Sequence, residues 1–502
     1  MASILAILVA LALIFLASFW SRLRLILKFQ PYSAKLPGPK PHWFFGNTAF
    51  FHGISTAEVL DSFIKTANEL REQGANVMRL DLLGKLYIWP LDGATAAKLI
   101  ESTTELDKGD DYRFTEAWLG QSVLLAGYGD KWRSHRKLLT PSFHFAKLEG
   151  YVEVFNSESR IMIECLERFA DSGDTVDLFP FIKRCTLDII CETAMGTKVD
   201  AQSNHDHPYV KAVEGFNKLS VTHSTHPYLQ IDFIFWLLGY KSQKEQFLTT
   251  LKKFTGDVLA ERRAALASGE VEKETSRRNM NFLDILLSSK ESDVLTEQEI
   301  REEVDTFMFA GHDTTTGSFS WMCWNLAHNP DVQEKVYREI VEIFGEDPSV
   351  DVTTEGIKKL DYTERVLKES KRRIAPVPMV QRKLRQDMVL DGHVIPSGAN
   401  VAIAPTIYHS NPKVFPNPDT FDPDRFLPEV ASQRNAYDYV PFSAGLRNCI
   451  GQKFSQLNEK VMLIHMLKNF KLTPTLRFDE TRPCFEIIAK PSNGIPVKLT
   501  RR

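Results

Sequence analysis

Pro441-Phe442-Ser443-Ala444-Gly445-Leu446-Arg447-Asn448-Cys449-Ile450-Gly451-Gln452-Lys453-Phe454 sets one cysteine in a turn rich in Phe, Gly and Arg, directly before a helix-like run from Gln452 to Leu467. A sulfur in that position meets N–H donors and the positive end of a helix, both of which favour the thiolate. Gly445 gives the loop backbone angles closed to other residues, and Gly451 lets a flat ligand come close to the helix start. Arg447, two residues from the sulfur, offers a guanidinium to an anionic group on whatever the sulfur holds.

The other cysteines, Cys165, Cys185, Cys191, Cys323 and Cys484, make no CxxC with it. Zinc and iron–sulfur sites want several thiolates or imidazoles, so a lone sulfur suits neither. One protein sulfur with the remaining bonds supplied by a macrocycle is the haem-thiolate arrangement. By itself a cysteine before a helix is more often a small buried hydrophobe. The string Phe442-x-x-Gly445-x-Arg447-x-Cys449-x-Gly451, however, resembles the haem-binding signature of the cytochrome P450 superfamily. The resemblance implies Cys449 as axial ligand of haem iron, with Phe442, Gly445, Arg447 and Gly451 around the cofactor.

The 502-residue chain, 43% hydrophobic and 25% charged with a net charge of −3, is globular in composition and carries no global pull toward nucleic acid. Ile4 to Trp20 is an almost unbroken apolar run of about 17 residues, near the lower limit for a membrane-crossing helix. Arg22, Arg24 and Lys28 follow it and no basic residue precedes it, which puts the bulk of the chain on the cytoplasmic side. A cleaved secretory signal competes, but its basic flank would stand on the other side. Leu36-Pro37-Gly38-Pro39-Lys40-Pro41 cannot continue a helix and reads as a hinge. The expected organisation is an anchor over 1–22, a basic and proline-rich linker over 23–41 and a catalytic domain over 42–502.

Leu80 to Pro90 reads as strand material split by a Gly-Lys turn. Helical patterns dominate beyond about residue 93. One of them contains Trp132-Arg133-Ser134-His135-Arg136-Lys137, where spacing of four puts Trp132 and Arg136 on one face, suited to a carboxylate; the resemblance makes that a haem propionate. His205, His207, His223 and His226 have no regular ligand spacing and read as ordinary surface or core residues. Ile231 to Leu238 fits core, with a surface dipping into a membrane as the alternative. Glu261 to Asn281 is charged and reads as an exposed connector.

Thr296-Glu297-Gln298-Glu299 carries a capping-box signal, and the helix it opens should run to about His328, before Asn329-Pro330. Its middle, Ala310-Gly311-His312-Asp313-Thr314-Thr315-Thr316, is unfavourable inside a buried helix, so something other than helix stability favours it. Threonine hydroxyls can bond within the helix or to an inserted ligand, and the adjacent aspartate can transfer protons. The string resembles the superfamily's oxygen-activation motif, which implies that Ala310 and Gly311 lie at the haem, Thr314 positions water and dioxygen, and Asp313 relays protons. The sequence around both motifs resembles the branch that contains fatty-acid ω-hydroxylases. Many of its members have Glu where this chain has Ala310, and there the carboxylate can form an ester with the haem; Ala310 cannot, which implies non-covalent haem.

Asp361 to Arg373 reads as a helix. Glu369 and Arg372 at (i, i+3) resemble the family's Glu-x-x-Arg motif, with Arg425 of Phe421-Asp422-Pro423-Asp424-Arg425-Phe426 as the third partner and Arg373 as a competitor for Glu369. Met388 to Val394 and Val401 to Ala404 are strand-like, and the resemblance puts Arg382 near the second propionate and Val377 to Val380 against substrate. The fold class expected is mainly α with a small β portion, the helix-rich triangular prism of cytochrome P450 enclosing haem b. The implied activity is a monooxygenase that inserts one oxygen atom of O2 into a lipophilic substrate, a fatty acid or a foreign compound. It has no flavin or dinucleotide motif of its own. Electrons would come from NADPH-cytochrome P450 reductase, with cytochrome b5 as a second donor, at the endoplasmic reticulum membrane; Arg136, Lys137 and Lys453 would lend positive charge to docking. A haem-thiolate isomerase or dehydratase and a non-catalytic haem sensor are the alternatives.

Overall fold

Leu83-Gly84 turns the chain back on itself with φ of +49° and +81°, the positive pair a two-residue hairpin turn needs. The strands it joins, Val77–Leu82 and Lys85–Pro90, pair antiparallel, so the turn sits one residue before the expected Gly-Lys. Lys85–Pro90 then pairs parallel with Asn400–Ile403, which pairs antiparallel with Val380–Lys383. A parallel pair needs a long crossover, and here almost the whole helical body serves as one. Tyr87 stands opposite Asn400 and Ile88 opposite Val401, so both ends of the sequence fix this sheet. Ile88 and Val401 have no exposed surface.

The computed structural model describes residues 19–143, 145–204, 206–268, 281–291 and 295–502. Among these, helices dominate, and beside the four-stranded sheet lie a three-stranded sheet and a two-stranded hairpin, Met388–Leu390 with His393–Ile395. One apolar core fills the helical body and a second lies under the four-stranded sheet. The helix Glu297–His328 runs through the larger core and is about 48 Å long at 1.5 Å per residue. Both bonds of its capping box form: the Glu299 N–H donates to Thr296 Oγ1 (3.2 Å) and the Thr296 N–H to the Glu299 carboxylate (2.9 Å). Asn329 closes it before Pro330.

Two expectations change. Ile231 to Leu238 is not core: Asp232–Leu237 forms a short helix that buries Phe235 but leaves Trp236, Leu237 and Leu238 more than half exposed. The expected connector from Glu261 begins as the end of a long helix, Tyr240–Ser268, where Arg262 is buried on Asp284; residues 269–280 lie outside the described residues. Of the histidines, His205 lies outside them, and the others form no metal cluster among the described residues. Of the anchor, residues 1–18 lie outside them as well, and no described helix is long and apolar enough to cross a membrane.

Candidate active site

The cysteine loop is shaped by Gly445, at φ +66°, where an added Cβ would lie 2.1 Å from the Ile100 carbonyl oxygen. Any other residue there would push the loop off its neighbour. The Cys449 N–H donates to the Phe442 carbonyl (2.9 Å) and closes the turn, with the Phe442 ring half-buried. Gly451 caps the helix Gln452–Asn469 at φ −89°, an angle open to any residue. The space its missing side chain leaves is bordered within 4 Å by one protein atom, Cys449 Sγ, at 4.0 Å. Its smallness therefore keeps open the volume beside the sulfur. Cys449 is accessible at its surface but surrounded by protein, which raises the thiol's pKa, while the Gly451 backbone N–H and the Arg136 guanidinium act the other way. Binding a metal would hold the deprotonated sulfur further.

Trp132 and Arg136 both reach this loop from the helix Asp130–Leu139, but not as a pair. Arg136 donates to the Asn448 carbonyl (3.0 Å) and side-chain oxygen (2.7 Å), gripping the residue before the cysteine. Trp132 is buried with the Arg447 guanidinium 4.7 Å above its ring. Arg447 donates to the carbonyls of Val123, Leu106 and Ala126, and its Nε has no partner. Arg382, 3% exposed, donates only a long bond to its neighbour's carbonyl, and Lys108 lies against the Tyr112 ring. Among the described residues no carboxylate lies within 4 Å of Lys108, Arg382 or Arg447, and burial together with mutual repulsion lowers the pKa of Lys108 and Arg447, the latter to about 9. Three neighbouring cations without an acid are a demand for an anion.

Opposite them runs the long helix. Between Glu303 and Ala327 it is buried except at Ala310, Gly311 and Thr314. Ala310 and Thr314, one turn apart, share a face. Thr315 Oγ1 lies 3.3 Å from Ser455 Oγ, and the Ser455 N–H donates to the Gly451 carbonyl, which ties this part of the helix to the cysteine loop. Thr314, Thr315 and Thr316 each donate back to the carbonyl four residues earlier, at 2.7, 2.9 and 2.8 Å. That satisfies the hydroxyls the sequence left unexplained. Gly311 answers a different need: an added Cβ would lie 2.6 Å from Ile190 Cδ1, so its smallness serves the crossing with helix Phe179–Ile190.

Asp313 points into that crossing. It lies 3.3 Å from Lys183 Nζ and accepts from Asn217 Nδ2 (2.9 Å), while Lys183 also reaches Glu214 (2.9 Å). Burial would raise its pKa, but Lys183 and the other cations nearby hold it below the usual carboxylate value, so it is ionised. Beside it lies a cavity of about 10 Å³, room for about one water, lined also by Glu486 and Lys490. Lys183 was not legible in sequence as a site residue; a lone lysine in the apolar stretch Phe179–Ile190 was the available signal.

Glu369 and Arg372 make a two-pronged ion pair, 2.6 and 2.8 Å, with no exposure to speak of on either side chain. Arg425 lies 3.5 Å from the same carboxylate, which also accepts from the Asp422 N–H (2.9 Å). Arg372 donates further to the carbonyls of His409, Pro418 and Thr420. Arg373 instead lies 3.8 Å over the Phe478 ring. The cluster staples the segment 409–425 to the helix Asp361–Arg373.

An accessible sulfur, a volume beside it kept clear by a glycine, a strip of small and hydroxyl side chains across from it and unpaired cations at its edge fit a flat, anionic, metal-bearing ligand such as haem. The sequence model of the family "Cytochrome P450" matches residues 36–499. Cytochrome P450 4c3 of Drosophila melanogaster is 36% identical across 98% of this chain and 93% of its own. Human cytochrome P450 4V2 is 40% identical across 83% and 82%, and Drosophila melanogaster cytochrome P450 4d8 is 40% identical across 82% and 92%. Match and geometry together make the chain a member of the cytochrome P450 family, a haem-thiolate monooxygenase that needs haem iron, O2, a redox partner and a small-molecule substrate.

Proposed function

We propose that this protein is a membrane-anchored monooxygenase of lipophilic substrates, fatty acids first and foreign lipophiles second, supplied with electrons from NADPH by a flavoprotein reductase. Its catalytic domain spans residues 42–502, behind an anchor at 1–22 and a linker at 23–41, and faces the cytoplasm at the endoplasmic reticulum. The observation that carries the reading is the accessible trio Ala310, Gly311 and Thr314 facing a cysteine loop edged by cations without a carboxylate. Exposed Phe233, Trp236, Leu237 and Leu238 support a membrane-facing surface.

Haem b, bound without a covalent link, would be held by Cys449 and by Arg382, Arg447 and Lys108 toward its propionates, with Trp132 and Arg136 bracing the loop. The cofactor supplies O2 activation and the transfer of one oxygen atom to substrate, the thiolate ligand favouring O–O cleavage. Thr314 acts beside it: its hydroxyl hydrogen is held by the Ala310 carbonyl, leaving oxygen lone pairs to order a water. Asp313 keeps the charge of Lys183 at the inner end of a polar path, and Glu214, partly exposed at the outer end, is where protons enter. Glu369, Arg372 and Arg425 keep the cysteine side of the fold in register. Exposed Lys137 and Lys453, near the loop, give a reductase or cytochrome b5 a positive surface to meet.

The test is turnover of haem-loaded protein with reductase, NADPH and dodecanoate under labelled O2. Label in a hydroxylated product supports the reading; haem binding with no turnover on any lipophile favours a sensor, and rearranged product without label an isomerase.

A further inference from the structure

Glu303 begins the buried stretch of the long helix, and its side chain has no exposed surface. An acid placed there is costly unless its partners make up for the lost water. Two groups converge on one of its oxygens: Oε1 lies 2.7 Å from His135 Nδ1 and accepts the Val123 N–H at 2.7 Å. Oε2 has no partner among the described residues. His135, 3% exposed, comes from the helix Asp130–Leu139 and lies between Trp132 and Arg136, the two residues that meet the cysteine loop. Its Nε2 faces Glu299 at 3.8 Å, and Lys131 holds Glu299 at 2.9 Å.

Glu302 and Thr306 extend the grip. The Gln121 N–H donates to Glu302 (2.9 Å), and Thr306 Oγ1 donates to Ser122 Oγ (2.7 Å). Three consecutive residues, Gln121, Ser122 and Val123, are thus tied to about one turn of the helix. The approach is close: at Gly120, φ +55°, an added Cβ would lie 2.0 Å from the Glu302 carboxyl carbon. Val123 is held from both sides. Its N–H goes to Glu303 and its carbonyl accepts from Arg447 Nη1 (3.0 Å), so one residue bridges the long helix and the cations of the cysteine loop. Just before it, Trp118 is buried with its ring 4.9 Å from that of Phe309, the neighbour of Ala310. Residues 118–126 therefore wall one side of the space between the long helix and the cysteine loop.

We propose that Glu303, braced by His135, is a positioning residue that fixes residues 120–126 as a wall of the substrate site and so limits the size of molecule that reaches the cofactor. The inference rests on reading the space between Ala310 and Cys449 as the substrate side of a haem pocket. Glu303 acts there through Val123 and touches neither cofactor nor substrate.

Full-length haem-loaded protein is titrated with two iron ligands of different size, imidazole and phenylimidazole, following the change each makes in the haem spectrum. Hydrogen exchange of the peptide over residues 119–126 is measured on the same proteins. Glu303→Gln keeps an oxygen for both neighbours and should match wild type in both readings. Glu303→Met removes that oxygen. Exchange should then rise about tenfold, and phenylimidazole should bind about tenfold more tightly while the Kd of imidazole stays unchanged. Thr306→Val/Ser122→Ala replaces both partners of a second tie with apolar groups, which costs the fold little, and should move both readings the same way. It carries the test alone if Glu303→Met does not fold. Faster exchange with an unchanged ligand preference, or an equal change for both ligands, makes the ties structural only and overturns the inference. Variants that leave both readings at the wild-type level overturn it too, as does Glu303→Gln when it is disturbed as much as Glu303→Met. A wild-type haem that takes neither ligand sinks the pocket reading itself, and the wall with it.

Discussion

Two clusters of buried and half-buried cations lie on the cysteine side of the molecule, and they differ in completeness. At Glu369 every charge is answered from within: Arg372 and Arg425 share a carboxylate, and Arg372's remaining donors reach three carbonyls. At the cysteine loop Arg382, Arg447 and Lys108 crowd together with no carboxylate among the described residues to answer them. A buried charge unpaired by protein is costly unless something else pairs it. The first set is structure, and the second waits for a ligand's anionic groups.

The comparison breaks if the two sets respond alike to mutation. Arg372→Ala strands the Glu369 carboxylate and should cost about 3–5 kcal/mol, seen in denaturant melts of protein with or without added haem. Arg382→Gln should leave the melt of haem-free protein nearly unchanged yet speed haem loss to an acceptor such as apomyoglobin about ten- to a hundredfold, matching one lost charge-assisted bond of roughly 1.5–3 kcal/mol. Equal destabilisation of haem-free protein by both variants would end the distinction. Thr314→Ala touches neither set: the thiolate spectrum should persist while product formed per NADPH consumed falls about tenfold, a modest share of what positioned proton transfer contributes.

A third buried group sharpens the contrast from the acidic side. Burial and Asp188 push Glu158 up to about 8, and burial pushes Asp188 up to about 6. Carboxyls whose folded pKa is raised favour the fold fully below their unfolded values, near 4, and lose that contribution as pH climbs toward the folded ones. The Tm of wild-type protein should therefore fall between pH 5 and 8 by more than that of Glu158→Gln, by a few degrees at most. An equal fall in both would remove this acid from the account.

Much of the site could be read from the chain because local chemistry fixed it. A capping box and an Asn-Pro stop bounded the long helix, and a five-position string marked the cysteine loop. The parallel pairing of Lys85–Pro90 with Asn400–Ile403 joins segments too distant for any local pattern to reveal. Ile231 to Leu238 went the wrong way because an aromatic run looks the same whether it meets core or an external apolar surface. Arg136 and Trp132 share a helix face as their spacing required, but spacing says nothing of what meets that face, and Arg136 meets Asn448. Lys183 stayed hidden because its partner, Asp313, is reached only through the helix crossing at Gly311.

Ala310 leaves the long helix without a carboxylate at the haem face, so acid–organic extraction should release all haem from wild-type protein. Haem retained on the polypeptide would show a covalent link through some other group. The sulfur itself is tested by Cys449→Ser, reduced and exposed to carbon monoxide. The account predicts that the carbon-monoxide band typical of a thiolate ligand vanishes in the variant while the protein remains folded. An unchanged band in the variant would place the iron on another residue and contradict the account at its centre.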